Sequence, residues 1–450
     1  MRLPRPRVRQ NKILNSGGSR ENTSPLRPVS RRWTSLFMSD QRPLRIAYFA
    51  EIFPSKSETW IHHEIDQLRI MGCEVRVFAT HSKPDSLAEE LKHLAEDTIF
   101  LPDQERSLIQ ALCVLGKSPL LTPVIKGLFA DTQTLRLKAQ ILRDLLLTGF
   151  MFPHVRRFKP DILFAHFGGS RTNMAMFHSL LTGKPFAFKM HAADVFTRVA
   201  MFRLKNTLTK WMGTISRFNI DFMRKSYPDI DASRLTIHRC GLPLSVFTYA
   251  PKVTLGSPPH LVSVGRMVRT KGFDILIKAS HEMKRSGLNH KLVIIGDGPL
   301  RPELEGLIDS LCLHDTIWLP GYCSPGDVQR ALRDADAFVL PVVWDPIRNI
   351  PEGVPVALME AMAVGLPVVS ARIAGIPELI DDGLSGFLAK PGDSADLATV
   401  IGRLLALSDS ERAKITQAAR EKIVADHDIE KLTKDLYSTL LKLAGNETGG

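Results

Sequence analysis

The chain has 450 residues, 44% hydrophobic and 24% charged, the balance of a soluble globular protein with room for two domains. Its formal net charge is +12, but residues 1–37 hold nine Lys or Arg against the single acid Glu21, so +8 of it sits in a leader. The rest of the chain is therefore too weakly basic to point to a nucleic-acid partner, and it has no run of 18 apolar residues to span a membrane. The five cysteines (Cys73, Cys113, Cys240, Cys312 and Cys323) include no C-x-x-C pair. Neither a zinc site nor a disulfide framework is suggested, and a reducing cytosol is the simplest compartment.

Residues 1–42 are rich in Arg, Pro and Ser, lack a signal-peptide core and read as a disordered basic leader. Met38-Ser39-Asp40 opens directly onto the first strand, so Met38 is the expected start. Leu44–Phe49 is a strand, followed by a loop from Glu51 to Ser57 and a helix carrying Trp60, Ile61, Ile65 and Leu68. Val75–Ala79, Ile162–Ala165, Pro185–Phe188 and Gly213–Ser216 continue the alternation, which argues for parallel βαβ units over residues 43–247. Residues 248–259 lose periodicity and include Gly256-Ser257-Pro258-Pro259, so they read as a linker. A second alternation over 260–426 has strands at Leu261–Val264, Leu292–Ile295, Thr316–Leu319, Ala337–Leu340 and Pro367–Val369. Residues 427–450 form a C-terminal helix and tail, expected to cross back to the first domain. The fold class is α/β, with two Rossmann-like parallel-sheet domains facing a central cleft at the carboxyl ends of their strands.

Within the second domain, Glu352 and Glu360 stand eight positions apart with Pro355 between them. Proline is suited to a first helical position, and Gly365 followed by Pro367 should end that helix. Glu352 thus falls in the loop before a helix N-terminus, a place suited to an anionic ligand, and Glu360 lies on the helix. Taken alone, the pair is equally an ordinary surface helix with solvated carboxylates. The first βα turn, Gly265-Arg266-Met267-Val268-Arg269-Thr270-Lys271-Gly272, places two cations, Arg266 and Lys271, beside the next helix. Guanidinium takes phosphate oxygens bidentately and ammonium acts as a point charge.

Jointly, Gly265-Arg266, Lys271-Gly272 and Glu352/Glu360 resemble the G-R-x4-K-G and E-x7-E elements of the retaining GT-B glycosyltransferases of family 4 (glycosyl transferases group 1). The runs Ala374–Leu379 and Gly383–Phe387 match as well, and the likeness covers roughly residues 44–430. The resemblance implies that Arg266 and Lys271 bind the donor diphosphate and stabilise charge on the leaving nucleotide. It implies that Glu360 accepts from the ribose hydroxyls, and that Glu352 holds a hydroxyl of the transferred sugar, helped by backbone N–H groups near Gly353 and Val354. Gly298, in the turn Ile295-Gly296-Asp297-Gly298-Pro299, and Tyr322, after Gly321, would line the base pocket; a plain tight turn explains the glycines equally well. No cofactor or metal is expected, because two cations and a helix N-terminus already face the diphosphate. The D-x-D matches at Asp229/Asp231, Asp334/Asp336 and Asp426/Asp428 fall elsewhere.

In the first domain, His191-Ala192-Ala193-Asp194 resembles the family's H-x-x-D element, in which the His touches the donor sugar; a structural His remains the competing reading. Ser216 is either the family's strand-end Ser or a helix N-cap. Phe53-Pro54-Ser55-Lys56-Ser57-Glu58-Thr59 has no Gly-rich loop and is similar to the F-P-x-x-S-E-T element of bacterial exopolysaccharide and colanic-acid-type glycosyltransferases. Ser57, Glu58 and Thr59 would cap a helix or meet the acceptor. Between Arg106 and Lys159 the chain carries Lys117, Lys126, Arg136, Lys138, Arg143, Arg156 and Arg157 among Leu and Phe residues, with only Asp131 and Asp144 opposing them after Ser107. This is a surface for anionic lipid or a set of core-packing helices with solvated cations.

The expected activity is transfer of a hexose from a UDP- or GDP-sugar to a glycan acceptor, carried on a polyprenyl diphosphate, in exopolysaccharide or related glycan biosynthesis. The expected place is the cytoplasm, at the inner face of the membrane. A nucleotide-sugar epimerase of the same architecture and a non-catalytic subunit of a polysaccharide-assembly complex are the competing readings, and no nucleic-acid partner is expected.

Overall fold

The computed structural model describes residues 42–445, apart from 56–57, 82–90, 105–106, 117–120, 131–133, 198, 253 and 349. The basic leader, Ser57, Arg106, Lys117 and Asp131 therefore lie outside the described residues. A first sheet comprises β1 (Arg45–Ala50), β2 (Glu74–Ala79), β3 (Thr98–Phe100), β4 (Ile162–His166), β5 (Phe186–Met190), β6 (Met212–Thr214) and β7 (Leu235–Ile237). Its order is β3-β2-β1-β4-β5-β6-β7 and every pairing is parallel. A second sheet contains β8 (His260–Val264), β9 (Lys291–Ile295), β10 (Ile317–Gly321) and β11 (Ala337–Leu340). An antiparallel hairpin of β12 (Trp344–Asp345) and β13 (Ile350–Pro351) follows, then β14 (Val368–Ala371) and β15 (Phe387–Ala389). The second sheet is also all parallel, in the order β10-β9-β8-β11-β14-β15.

Both sheets are buried on two faces, so their strands are near-continuous apolar runs such as Ile162–Ala165 and Ala337–Leu340, every residue of which is buried. The three-residue strands β3, β7 and β15 are too short to show a period, which is why sequence pattern passes over them.

The described residues of the linker form no helix or strand, and it is held against the second domain. Asp336 accepts from the backbone N–H of Gly256 (3.0 Å) and His260 (2.7 Å) and pairs with Lys252 at 2.7 Å. The chain then returns. His427 Nδ1 donates to Cys240 O at 2.8 Å, and Leu242 N–H donates to His427 O at 2.8 Å. The helix Ile429–Leu443 crosses to the first domain, where His238 Nε2 donates to Leu432 O at 2.9 Å. Leu436 and Leu440 join the core formed by Ile46, Ile65 and Leu68. Burying two such side chains contributes about 1.5–3 kcal/mol each, enough to tie the C-terminus across the hinge.

Candidate active site

The two βα turns at the carboxyl end of the second sheet are laced together. Gly265 N–H donates to Ile295 O (3.0 Å) and Met267 N–H to Asp297 O (2.8 Å). A Cβ on Gly296, whose φ is +134°, would stand 2.0 Å from Gly265 O, and one on Gly298 would meet Met267 O at 2.6 Å. These glycines are thus required by the close approach of two backbones, whatever else the turn binds. The exposed Arg266 side chain on this turn has no hydrogen-bond or ion-pair partner among the described residues. Tyr322, just after β10, is 59% exposed.

Glu352 lies between the hairpin and the helix Val356–Val364. That helix starts one residue later than its proline suggests, with Pro355 as N-cap, and closes on Gly365 at φ +88°. Glu352 Oε2 accepts from Thr270 Oγ1 at 2.7 Å and lies 3.3 Å from Lys271 Nζ. Burial pushes this carboxyl up, but the Lys271 charge, the Thr270 and Lys271 hydrogen bonds and the Gly353 N–H outweigh it and hold it below the usual range. Glu360 differs. It is half-buried without a partner among the described residues, and burial pushes it up to about 7. The surroundings of the two carboxylates therefore shift them in opposite directions.

On the facing domain, β5 ends at Met190 and His191 starts a short turn of helix, Ala192–Val195. Asp194 folds back to accept from His191 N–H at 2.8 Å and from Gly168 N–H. It therefore orients the turn, and burial, opposed by those N–H donors, raises its carboxyl to about 7. The His191 ring is only marginally exposed, packed near Phe167 and Trp60. Its Nε2 lies 2.8 Å from His166 Nδ1, and His166 Nε2 lies 2.8 Å from Glu64 Oε1. Neither His166 nor Glu64 belongs to a motif in the sequence. The signal was a His ending a buried strand and a carboxylate on the apolar face of helix Thr59–Ile70, between Ile61 and Ile65.

The two sides meet. A Cβ on Gly353 would lie 2.9 Å from Ala192 Cβ, and one on Gly375 would lie 3.0 Å from Ser216 Cβ. Ser216 Oγ accepts from Asn219 N–H at 3.2 Å, capping helix Arg217–Ser226. Glu378, from the second domain, accepts from the N–H groups of Arg217 and Phe218, both at 2.8 Å. It completes that helix N-terminus, where a carboxylate also meets the positive end of the dipole. The elements bearing Glu352 and His191 are thus brought together at one seam.

Glu58 does not cap the helix it precedes. Its carboxylate makes a bidentate pair with Arg171, both contacts at 3.0 Å, and the guanidinium lies over the Phe167 ring. The basic region forms helices Leu108–Gly116, Leu121–Ala130 and Leu135–Phe158. Ala111, Leu115, Val124 and Ile141 are buried there, yet Ile109 (77%), Phe129 (77%) and Leu135 (86%) are exposed. The helices thus pack into the core with some apolar side chains and leave others in solvent. Four of the six D-x-D aspartates have partners of their own: Asp229 pairs with Arg203, Asp231 with Ser233 and Arg234, Asp336 with the linker, and Asp428 caps the last helix.

Two parallel-sheet domains with their strand-end loops converging on one seam are the GT-B architecture, and residues 249–422 match the family described as glycosyl transferases group 1. The chain is 28% identical to WcaL of Escherichia coli K12, a glycosyltransferase assigned to colanic acid biosynthesis, over 89% of this chain and 100% of that one. It is 29% identical to the amylovoran biosynthesis glycosyltransferase AmsK of Erwinia amylovora, over 89% and 100%. Among solved structures, HepE of Anabaena, crystallised with UDP and glucose, superposes with a TM-score of 0.65. That match has 16% identity and covers 89% of this chain and all of the other, so it speaks for the fold alone. The chain thus has the GT-B fold, and along most of its length it is similar to exopolysaccharide glycosyltransferases.

Proposed function

We propose that this protein transfers a hexose from a UDP- or GDP-sugar to a hydroxyl of a growing, lipid-linked saccharide in exopolysaccharide biosynthesis. The observation that carries the reading is the Lys271–Glu352 pair, set between an unpaired Arg266 and the His191 turn across the Gly353–Ala192 contact. Arg266 and Lys271 would take the diphosphate oxygens, Glu360 the ribose hydroxyls, and Glu352 a hydroxyl of the transferred sugar. No divalent metal is needed in this scheme, because the leaving charge falls on two cations. Gly298 and Tyr322 would border the base, and the backbone at Gly353 and Val354 the sugar.

Transfer would retain anomeric configuration by front-side displacement. The bond from C1 to the phosphate oxygen breaks, and the acceptor oxygen bonds C1 on the same face. The acceptor's proton passes to the departing phosphate. This reading rests on the two carboxylates at the seam being engaged and not free to act as nucleophiles: Glu352 is held by Lys271 and Thr270, and Asp194 by two backbone N–H groups. The exposed apolar and basic face of helices 108–158 supports an acceptor presented at an anionic membrane on the cytoplasmic side. The exopolysaccharide relatives favour transfer over sugar-nucleotide epimerisation or a non-catalytic subunit.

The test is a thermal-shift panel of UDP, GDP, ADP and their sugar conjugates on the full chain. Saturation to 100 times Kd adds about 2.7 kcal/mol to stability, a readable shift. One nucleotide should stand out, lose its effect in Lys271→Ala, and support transfer unaffected by EDTA. No shift with any of them, or turnover that EDTA stops and Mg²⁺ restores, would overturn the reading.

A further inference from the structure

A buried file of polar side chains runs behind His191. Glu64 and His166 are 2% and 0% exposed. Glu64 Oε1 faces His166 Nε2 at 2.8 Å and also accepts from the Tyr48 hydroxyl at 3.3 Å. Its other oxygen lies 3.8 Å from Lys189 Nζ, which itself donates to Arg239 O. His166 Nδ1 faces His191 Nε2 at 2.8 Å, and His191 Nδ1 faces the Cys240 sulfur at 3.9 Å.

The two ends of this file set its direction. Although burial alone would raise the Glu64 carboxyl, His166 and Lys189 bring it down to about 2, so at neutral pH it only accepts. Burial raises the Cys240 thiol, which keeps its proton and donates. Each imidazole has one N–H and one lone pair when neutral. Burial also lowers His166 from the usual imidazole value, so both rings are neutral at neutral pH. The arrangement that then satisfies every contact is Cys240 S–H to His191 Nδ1, His191 Nε2–H to His166 Nδ1, and His166 Nε2–H to Glu64. Burial, followed by His166, Lys189 and Arg171, holds His191 well below the usual imidazole range, so a second proton is not available to reverse it.

We propose that Glu64 and His166 are positioning residues that lock His191 as the neutral Nε2–H tautomer through a one-way hydrogen-bond file. Resting on the proposed transfer reaction, this assigns His191 a definite part. With its proton committed inward, His191 neither gives a proton to the leaving group nor takes one from the acceptor. It also adds no positive charge beside a sugar carbon that is itself becoming positive. The acceptor's proton is left to the departing phosphate.

The test uses the full chain labelled with 15N-histidine, in which protonated and bare ring nitrogens resonate far apart. The His191 signals are assigned by their loss in His191→Asn. In the unmodified protein His191 should show a protonated Nε2 and a bare Nδ1 from pH 6 to 8. In Glu64→Gln the amide oxygen should turn to Lys189 and its NH2 to His166, which reverses the file and moves the His191 proton to Nδ1. Turnover of the donor found by the nucleotide panel should fall at least tenfold in that variant, with UDP affinity within twofold. His166→Phe, which keeps the ring stack, should leave His191 in both tautomers and serves if Glu64→Gln does not fold. A proton on Nδ1 in the unmodified protein, an unchanged tautomer in the folded variant, or unchanged turnover would overturn the proposal. If the unmodified protein transferred no sugar, the proposed function would fail while the tautomer measurement still stood.

Discussion

Glu360 offers the sharpest test of the donor site, because its carboxyl stands near 7 through burial with no cation beside it. A carboxylate accepts from two ribose hydroxyls, whereas a protonated carboxyl must surrender part of that capacity. With a midpoint of about 7, the ionised fraction rises from about a tenth at pH 6 to about nine-tenths at pH 8. Affinity for a sugar nucleotide should therefore rise about tenfold across that interval, or about 1.4 kcal/mol. UDP-glucose, or the matching donor from the panel, suits the titration, since both of its phosphates are esterified and only UDP has a terminal phosphate titrating near 6. Glu360→Gln should bind about 10- to 100-fold more weakly at pH 8, the range for a hydrogen bond to a charged group, with a nearly flat pH profile. Stability carries the opposite sign. A raised carboxyl pKa stabilises the fold below its unfolded value of about 4.3 and loses that contribution as pH climbs through about 7. The unliganded protein should accordingly lose Tm relative to Glu360→Gln between pH 5 and 8. A flat affinity profile in the unmodified protein, or an unchanged slope in Glu360→Gln, would refute the assignment.

Glu378→Ala removes the acceptor of two N–H groups at the start of helix Arg217–Ser226, and should cost about 2–3 kcal/mol of contact between the domains. Calorimetry should then show the two domains unfolding in separate steps; one unchanged transition would contradict that role. The two helices bearing the exposed Ile109 and Phe129 should bind phosphatidylglycerol vesicles in a salt-sensitive way. The Ile109→Ser/Phe129→Ser double variant should lose at least tenfold in vesicle affinity, and equal binding by both proteins would remove the docking face.

Much of the scaffold was legible because parallel strands are buried on both faces and so appear as short apolar runs between turns. Ala337–Leu340 has the same bounds in sequence pattern and structure, and the other expected strands differ by one or two residues at one or both ends. Arg266, Lys271, Glu352 and Glu360 were legible for another reason: each is fixed by a local turn or cap, so spacing along the chain maps onto spacing in space. What escaped depends on distant pairing. His166 is 25 residues from His191 and 102 from Glu64, and nothing local couples them until three elements of the first domain pack together. Glu378 is likewise 161 residues from the helix it caps. Glu58 looked like a capping residue by position and instead pairs with Arg171, 113 residues away, because a guanidinium fork outcompetes a backbone N–H for a carboxylate.

The seam itself can be perturbed without touching any charged group. Gly353 sits beside Glu352, and a methyl at its Cβ position would fall 2.9 Å from Ala192 Cβ and 3.3 Å from the Ile215 side chain. Ala192 cannot swing aside, because its methyl is fixed to the backbone of the turn that Asp194 pins. Gly353→Ala must therefore push the Glu352 loop away from the His191 turn, at a cost of about 1–3 kcal/mol for overpacking. Lys271, Thr270 and the turns proposed to face the nucleotide lie on the second domain and keep their geometry, so UDP affinity should stay within about threefold. Alignment of the sugar against the first domain should suffer, and displacement of a reacting group by an ångström costs on the order of 100-fold in rate. The expected result is a lowered kcat with nearly unchanged UDP binding. Full turnover in Gly353→Ala would mean that the contact between these two turns is not the geometry in which transfer occurs.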